Sequence, residues 1–207
     1  MLELFKSGGP FAIVLIFLSI VALALILERC WALRRSRILP RMLLDAMADG
    51  DQDRLRTACA AHASPMARLV ISVLDHLPWS KSENMAALEV RARQEVAEME
   101  RNLVFLEIIV GIAPLLGLVG TIYGIIPLFG DFGKAIAGDN ALIAKGIGAA
   151  LNKTVLGLVV AIPSLVAWSL FNRHVEGLTL EMESFCDAIL RRHYLSRKPA
   201  GKAETAA

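Results

Sequence analysis

Apolar positions along this chain gather into three long uncharged runs set among polar stretches. The first run is Phe11–Leu27, interrupted only by Ser19. The second is Ile108–Phe129, IIVGIAPLLGLVGTIYGIIPLF. The third lies in Gly146–Phe171, and its charge-free part, Thr154–Phe171, is about 18 residues long. A bilayer crossing needs about 20 predominantly apolar residues, so each run predicts a transmembrane helix. The second run organises the rest. Gly111, Gly117, Gly120 and Gly124 recur along it, Pro114 and Pro127 sit near its ends, and Thr121 lies inside. Small residues on a membrane helix let other backbones approach closely. The third run has a matching stripe, Ala150, Thr154, Gly157, Ala161 and Ser164, which falls on one helix face. Val155, Leu158, Val159, Ile162 and Leu165 cover much of the rest. On the second run the corresponding row is Gly117, Thr121 and Gly124. These rows predict the wall of a multi-helix assembly, with Thr121 facing inward.

The polar stretches read as helices of a different kind. Leu39–Ala48 ends at Asp49-Gly50, and Asp51 can cap a helix running to about His62. Ser64-Pro65 places a cap before a proline in the first turn of a helix to about Leu77. After Pro78-Trp79, Ser80-Lys81-Ser82-Glu83 fits a capping box. From there strong helix formers run without Gly or Pro into the second apolar run. A continuous helix over Glu83–Phe129 would be about 70 Å long and would project into the cytoplasm. Its alternating charges, from Glu89 and Arg91 to Glu98 and Arg101, predict a solvated, ion-paired face.

Charge sets the topology. Arg29, Arg34, Arg35, Arg37 and Arg41 crowd the far side of the first run, against Lys6 on the near side. The positive-inside rule then puts the N-terminus outside and the following segment in the cytoplasm. A signal peptide is the competing reading. The run is long for one, no small-x-small cleavage motif follows, and Glu28-Arg29-Cys30-Trp31 is the flank of an uncleaved span. The expected organisation is a short outer segment and first span (1–27), a cytoplasmic helical domain (28–102), and the second and third spans (103–171) joined by an external loop (130–145). A C-terminal cytoplasmic helix and a disordered tail follow (172–207). The fold class is all-α, a membrane protein of three transmembrane helices with long helices extending into the cytoplasm.

Composition agrees with this reading and excludes several functions. The hydrophobic fraction is 56% and the net charge +2, which gives no basis for a nucleic-acid partner. Cys30, Cys59 and Cys186 are far apart and have no CxxC spacing, so neither zinc nor a disulfide framework is indicated. No cofactor is indicated. His62 and His76 belong to no HExxH or paired metal pattern, and no nucleophile motif is present, so an enzyme is not expected. The GxG at Gly146–Gly148 sits on a span and not after a strand, so it points to no nucleotide.

Polar residues inside a membrane are functional candidates. Thr121 and Thr154 qualify, although a hydroxyl bonded to its own i−4 carbonyl is the plain alternative. Glu107, at the cytoplasmic edge of the second run, reads as an interfacial carboxylate or the edge of a proton path. Lys153, at the outer end of the third, reads as snorkelling to the interface. No Asp, Glu or His lies within Ile108–Phe129 or Thr154–Phe171. A proton pathway here would therefore need an acid from another chain.

The segments APLLGLVGTIYGI (113–125) and ALNKTVLGLVVAIP (150–163) resemble the MotA/TolQ/ExbB proton-channel family, closest to its ExbB and TolQ branch. The opening GGP…LERCWALRR and the EMES-containing tail look alike too, so the resemblance covers most of the chain and is weakest over residues 40–80. It implies a homopentamer in the bacterial inner membrane, with a periplasmic N-terminus and a cytoplasmic C-terminus. It implies a pore around single spans of an ExbD- or TolR-like partner that carries a membrane aspartate, and work on a TonB- or TolA-like protein. By the same resemblance Thr121 and Thr154 match the pore threonines, with Gly117, Gly124, Ala150, Gly157 and Ala161 along the wall. Glu107 and Lys153 stand at the pathway edge, and Pro114 and Pro163 match the span prolines. One position departs: where the ExbB/TolQ pattern has a glutamate, this chain has Ala149. A non-conducting membrane scaffold and a flagellar-type stator are the alternatives.

Overall fold

A computed structural model of the chain describes residues 9–49, 51–131 and 140–196. Among the described residues every regular element is an α-helix: α1 (Gly9–Ala32), α2 (Arg35–Ile38), α3 (Arg41–Asp49), α4 (Gln52–Ala61), α5 (Pro65–Asp75), α6 (Lys81–Glu100), α7 (Leu103–Asp131) and α8 (Asn140–Ser196). Three of them are long and apolar enough to cross a membrane, over Pro10–Ala32, Leu103–Pro127 and Ala144–Leu195. The chain divides into two compact units: residues 1–31 with 102–172, and residues 32–101 with 173–207.

The first unit holds the three apolar helices. Its core joins Leu15 and Ala22 of α1, Ile109 and Ala113 of α7, and Val160 and Ala161 of α8. Its exterior is apolar as well: Phe17, Leu23, Leu118, Ile122, Val159 and Ile162 are all exposed. Soluble proteins rarely expose such continuous apolar surface, and lipid accounts for it. What separates inside from outside is therefore size. The residues of the third-span stripe are buried or half-buried, while Val155, Leu158, Val159, Ile162 and Leu165 point outward. With lipid as apolar as leucine, close packing of small residues holds such helices together.

The second unit is built from α2 to α6 and the part of α8 from Arg173 on. Its core takes Leu43, Met66, Leu69, Val70, Val73 and Met182, among others. Helix starts follow the local chemistry. Asp51 accepts from Asp53 N at 3.0 Å, and Ser64 Oγ from Ala67 N at 3.2 Å. Ser80 and Glu83 form the reciprocal capping box. Tyr194 ties the end of α8 down, donating to the Trp79 carbonyl at 3.0 Å.

Four expectations need correction. The single helix over Glu83–Phe129 is two, because a turn at Arg101–Asn102 separates α6 from α7. Arg101 keeps helical angles, φ −47° and ψ −42°, while the Asn102 side chain donates to Glu28 Oε2 at 3.3 Å. Such a tertiary contact overrides propensity. The stretch expected as a loop over 130–145 is helical at both ends, since α7 reaches Asp131 and α8 begins at Asn140; Asn140–Lys145 holds good helix formers and no Gly. The separate tail helix is the continuation of α8. Residues 1–8, 132–139 and 197–207 lie outside the described residues, and so do the outer N-terminal segment and the C-terminal tail expected there. The charged face of α6 is also not wholly solvated. Glu95 is 1% exposed and is held by Arg68 and by Arg91 Nη2 at 2.8 Å.

Candidate functional site

The second and third spans meet at glycines. A Cβ added to Gly157 would stand 2.6 Å from the Ala113 carbonyl oxygen. One added to Gly117 would stand 2.9 Å from the Lys153 carbonyl oxygen and 3.1 Å from Thr154 Cα. Real side chains do not tolerate such distances, so α7 and α8 touch backbone to backbone because these two residues lack a side chain.

That approach lets two hydroxyls reach across. Thr121 is 7% exposed. Its Oγ1 lies 3.0 Å from the Gly117 carbonyl on its own helix and 3.1 Å from the Ala150 carbonyl on the other. It also hydrogen-bonds Thr154 Oγ1. Thr154 Oγ1 lies 3.4 Å from the Gly117 carbonyl. A hydroxyl has one proton to donate and two lone pairs to accept with. The pair thus has two protons for two carbonyls and each other, and three orders satisfy it. In two of them Thr154 donates to Thr121, which donates to Ala150 or to Gly117. In the third, Thr121 donates to Thr154, which donates to Gly117. All three leave the pair uncharged, and switching between them needs only hydroxyl rotation. The own-helix bond alone is what Ser164 makes, donating to the Val160 carbonyl at 2.8 Å.

The remaining candidates fall into three places. Gly117, Gly157, Ala150 and Ala161 are buried within the first unit, while Thr154 and Gly124 keep part of their surface open. Pro114 and Pro163 lie inside α7 and α8. Each removes a backbone N–H and frees the carbonyl four residues earlier. Glu107 is exposed at the start of α7; about 21 Å of helix separates it from Thr121, so the two do not form one site.

Lys153 lies along α7, 8% exposed, its stem running from Gly120 toward Gly124 and the Pro127 end of the span. A Cβ on Gly120 would be 3.3 Å from its Cδ, and one on Gly124 3.0 Å from its Nζ. The two glycines leave a groove, and the lysine stem fills it. Gly120 was legible only as one more small residue; its partner could not be read from spacing. Among the described residues no group of three His, Cys, Asp or Glu stands together as a metal site.

Residues 61–184, more than half the chain, match the family model described as the MotA/TolQ/ExbB proton channel family. The chain is 34% identical over 175 residues to a putative biopolymer transport protein ExbB-like 1 of Synechocystis sp., covering 81% of this chain and 69% of that one. It is 28% identical over 199 residues to the biopolymer transport protein ExbB of Neisseria meningitidis, covering 87% and 90%. It is 29% identical over 118 residues to the Tol-Pal system protein TolQ of Haemophilus influenzae, covering 56% and 52%. The matched region takes in both faces of the glycine contact and both threonines. Three apolar helices and these matches together show that the chain belongs to the MotA/TolQ/ExbB proton channel family.

Proposed function

We propose that the chain is the channel subunit of an inner-membrane motor of the ExbB/TolQ kind. Five copies surround single-span helices of an ExbD- or TolR-like partner, and a partner aspartate carries the proton. The released energy drives a TonB- or TolA-type protein that acts on the outer membrane. The N-terminus is periplasmic and the C-terminus cytoplasmic, an orientation that the arginines after the first span support. The observation that carries the reading is the hydroxyl pair of Thr121 and Thr154, set in two uncharged spans. In every order Thr154 keeps a lone pair that can accept from a passing protonated acid, and rotating its hydroxyl off its partner presents a donor, without moving backbone. An ionised carboxylate is costly in such surroundings and a protonated one much less so, so protonation releases the partner helix to move. Thr154 and Gly124 supply the open edge of the wall; Gly117, Ala150, Gly157 and Ala161 set how closely the two spans stand.

The test is proton flux and partner recovery together. Co-purification followed by native mass spectrometry should give one stoichiometric oligomer with a single-span acidic subunit. Proteoliposomes of that complex should acidify under a potential, and Thr121→Val or Thr154→Val should abolish this while the oligomer survives. Undiminished flux in both variants rejects the pore role. An oligomer with no acidic subunit and no flux points to a scaffold.

A further inference from the structure

The first unit buries the stem of a lysine and leaves its ammonium at an open edge. Lys153 lies within a candidate span and is 8% exposed. Its stem follows Gly120, where an added Cβ would meet Lys153 Cδ at 3.3 Å and Phe11 Cβ at 3.2 Å. Its Nζ rests at Gly124, 3.0 Å from where a Cβ would be. By the 1.5 Å rise, these glycines stand about 5–10 Å inside the Pro127 end of the second span.

Among the described residues nothing accepts from Nζ, neither a carboxylate nor a carbonyl nor a hydroxyl. The neighbouring Thr154 hydroxyl is engaged with Thr121, and Glu107 lies at the opposite end of α7. An ammonium carries three donors and a full charge. Leaving it unpaired at the edge of apolar helices is costly, and the usual remedy is an anion. The site is not sealed: Gly124, against which Nζ rests, is half-buried, and so is Thr154.

We propose that Lys153 is the receptor for a carboxylate on an apolar helix of a second polypeptide, which it docks beside Gly124 and next to the threonine pair. This deepens the guest-helix reading above and rests on it. Charge complementarity selects the occupant. A neutral helix would leave the ammonium unpaired, and a basic one would be repelled. A carboxylate satisfies Nζ and is held in register one residue from Thr154. Lys153 is thus a positioning residue for the acid, and it makes the wall prefer the ionised form.

The experiment uses the full chain in liposomes with a synthetic helix of about 23 leucine and alanine residues, long enough to span, carrying one central aspartate or the isosteric asparagine. Energy transfer between a donor on the chain and an acceptor on the peptide reads association in mildly alkaline buffer. The expected result is that the aspartate helix associates about tenfold more tightly than the asparagine helix. Lys153→Met should level the two, and Lys153→Arg should keep the preference. Equal binding of both helices to the unmodified chain overturns the receptor and leaves the guest-helix reading standing. So does a preference that survives in Lys153→Met. Association of neither helix overturns both. The comparison on the unmodified chain decides even if a variant fails to fold.

Discussion

Thr121 and Thr154 hydrogen-bond to each other from different helices, and both hydroxyls reach the Gly117 carbonyl, at 3.0 and 3.4 Å. The contact exists because Gly117 and Gly157 let two backbones touch. Thr121→Val keeps the shape and removes the donor to Ala150. Loss of one buried hydrogen bond should cost about 0.5–1.5 kcal/mol, small enough for assembly to survive. Serine at either position should restore most of the flux, since the hydroxyl and not the methyl supplies the proton. Thermal unfolding in detergent and flux in proteoliposomes, measured on the same preparations, check the two halves of this expectation. A valine variant that unfolds outright would make the pair structural.

The glycines separate into two classes, and substitution should expose them. Gly157→Ala drives a methyl to 2.6 Å from the Ala113 carbonyl, and Gly117→Ala to 2.9 Å from that of Lys153. Backbone cannot yield cheaply, so each should destabilise by about 1–3 kcal/mol. At Gly111, Gly148 and Gly177 an added methyl would meet nothing within 4 Å. Alanine there should be neutral or stabilising by up to about 1 kcal/mol through helix propensity. Midpoints of thermal unfolding across the five variants give the comparison. Equal effects in both classes would mean that α7 and α8 do not pack this way.

Much of this was legible in the chain. Uncharged length announced three spans, and the spacing of Ala150, Thr154, Gly157, Ala161 and Ser164 announced a face, because a helix repeats physically where small residues repeat in sequence. Caps at Asp51, Ser64 and Ser80 are local chemistry and read directly. Long-range partners were not legible. The Asn102–Glu28 bond that accompanies the break in the long helix joins residues 74 apart in sequence. Lys153 beside Gly120 and Gly124, and Glu95 beside Arg68, likewise depend on which helix lies next to which. Periodicity along one helix cannot state that.

Glu95 supplies a test in the second unit. It is 1% exposed, paired with Arg91 at 2.8 Å and with Arg68, whose own side chain is 33% exposed. The hydrogen bond to Glu95 is the main cause that raises the Arg68 pKa above its ordinary value. Arg68→Met leaves a buried carboxylate with one cation and should lower stability by about 1–3 kcal/mol. Adding Glu95→Leu removes the stranded charge and should recover most of that loss. The double-mutant cycle by thermal unfolding reads the coupling. Additive losses would place Glu95 in water and not in the core.

Cys59 makes the pH dependence of the same unit directional. The thiol is buried on α4, and desolvation pushes its pKa from 9.0 up to about 11. A group whose pKa is raised by folding adds stability at pH values below its unfolded pKa. That contribution disappears as pH climbs through the folded value. Unfolding midpoints should therefore decline between about pH 9 and pH 11, and Cys59→Ala should lessen the slope of this part of the profile at the expense of a small cavity. Burial should also shield the thiol from alkylation, because the thiolate is the reactive form. Cys30 is exposed, whereas Cys59 and Cys186 are buried. In detergent at neutral pH, iodoacetamide should label Cys30 rapidly and the other two only after unfolding, as mass spectrometry of peptides would show. Rapid labelling of Cys59 in the folded protein would mean that α4 opens far more readily than its packing implies.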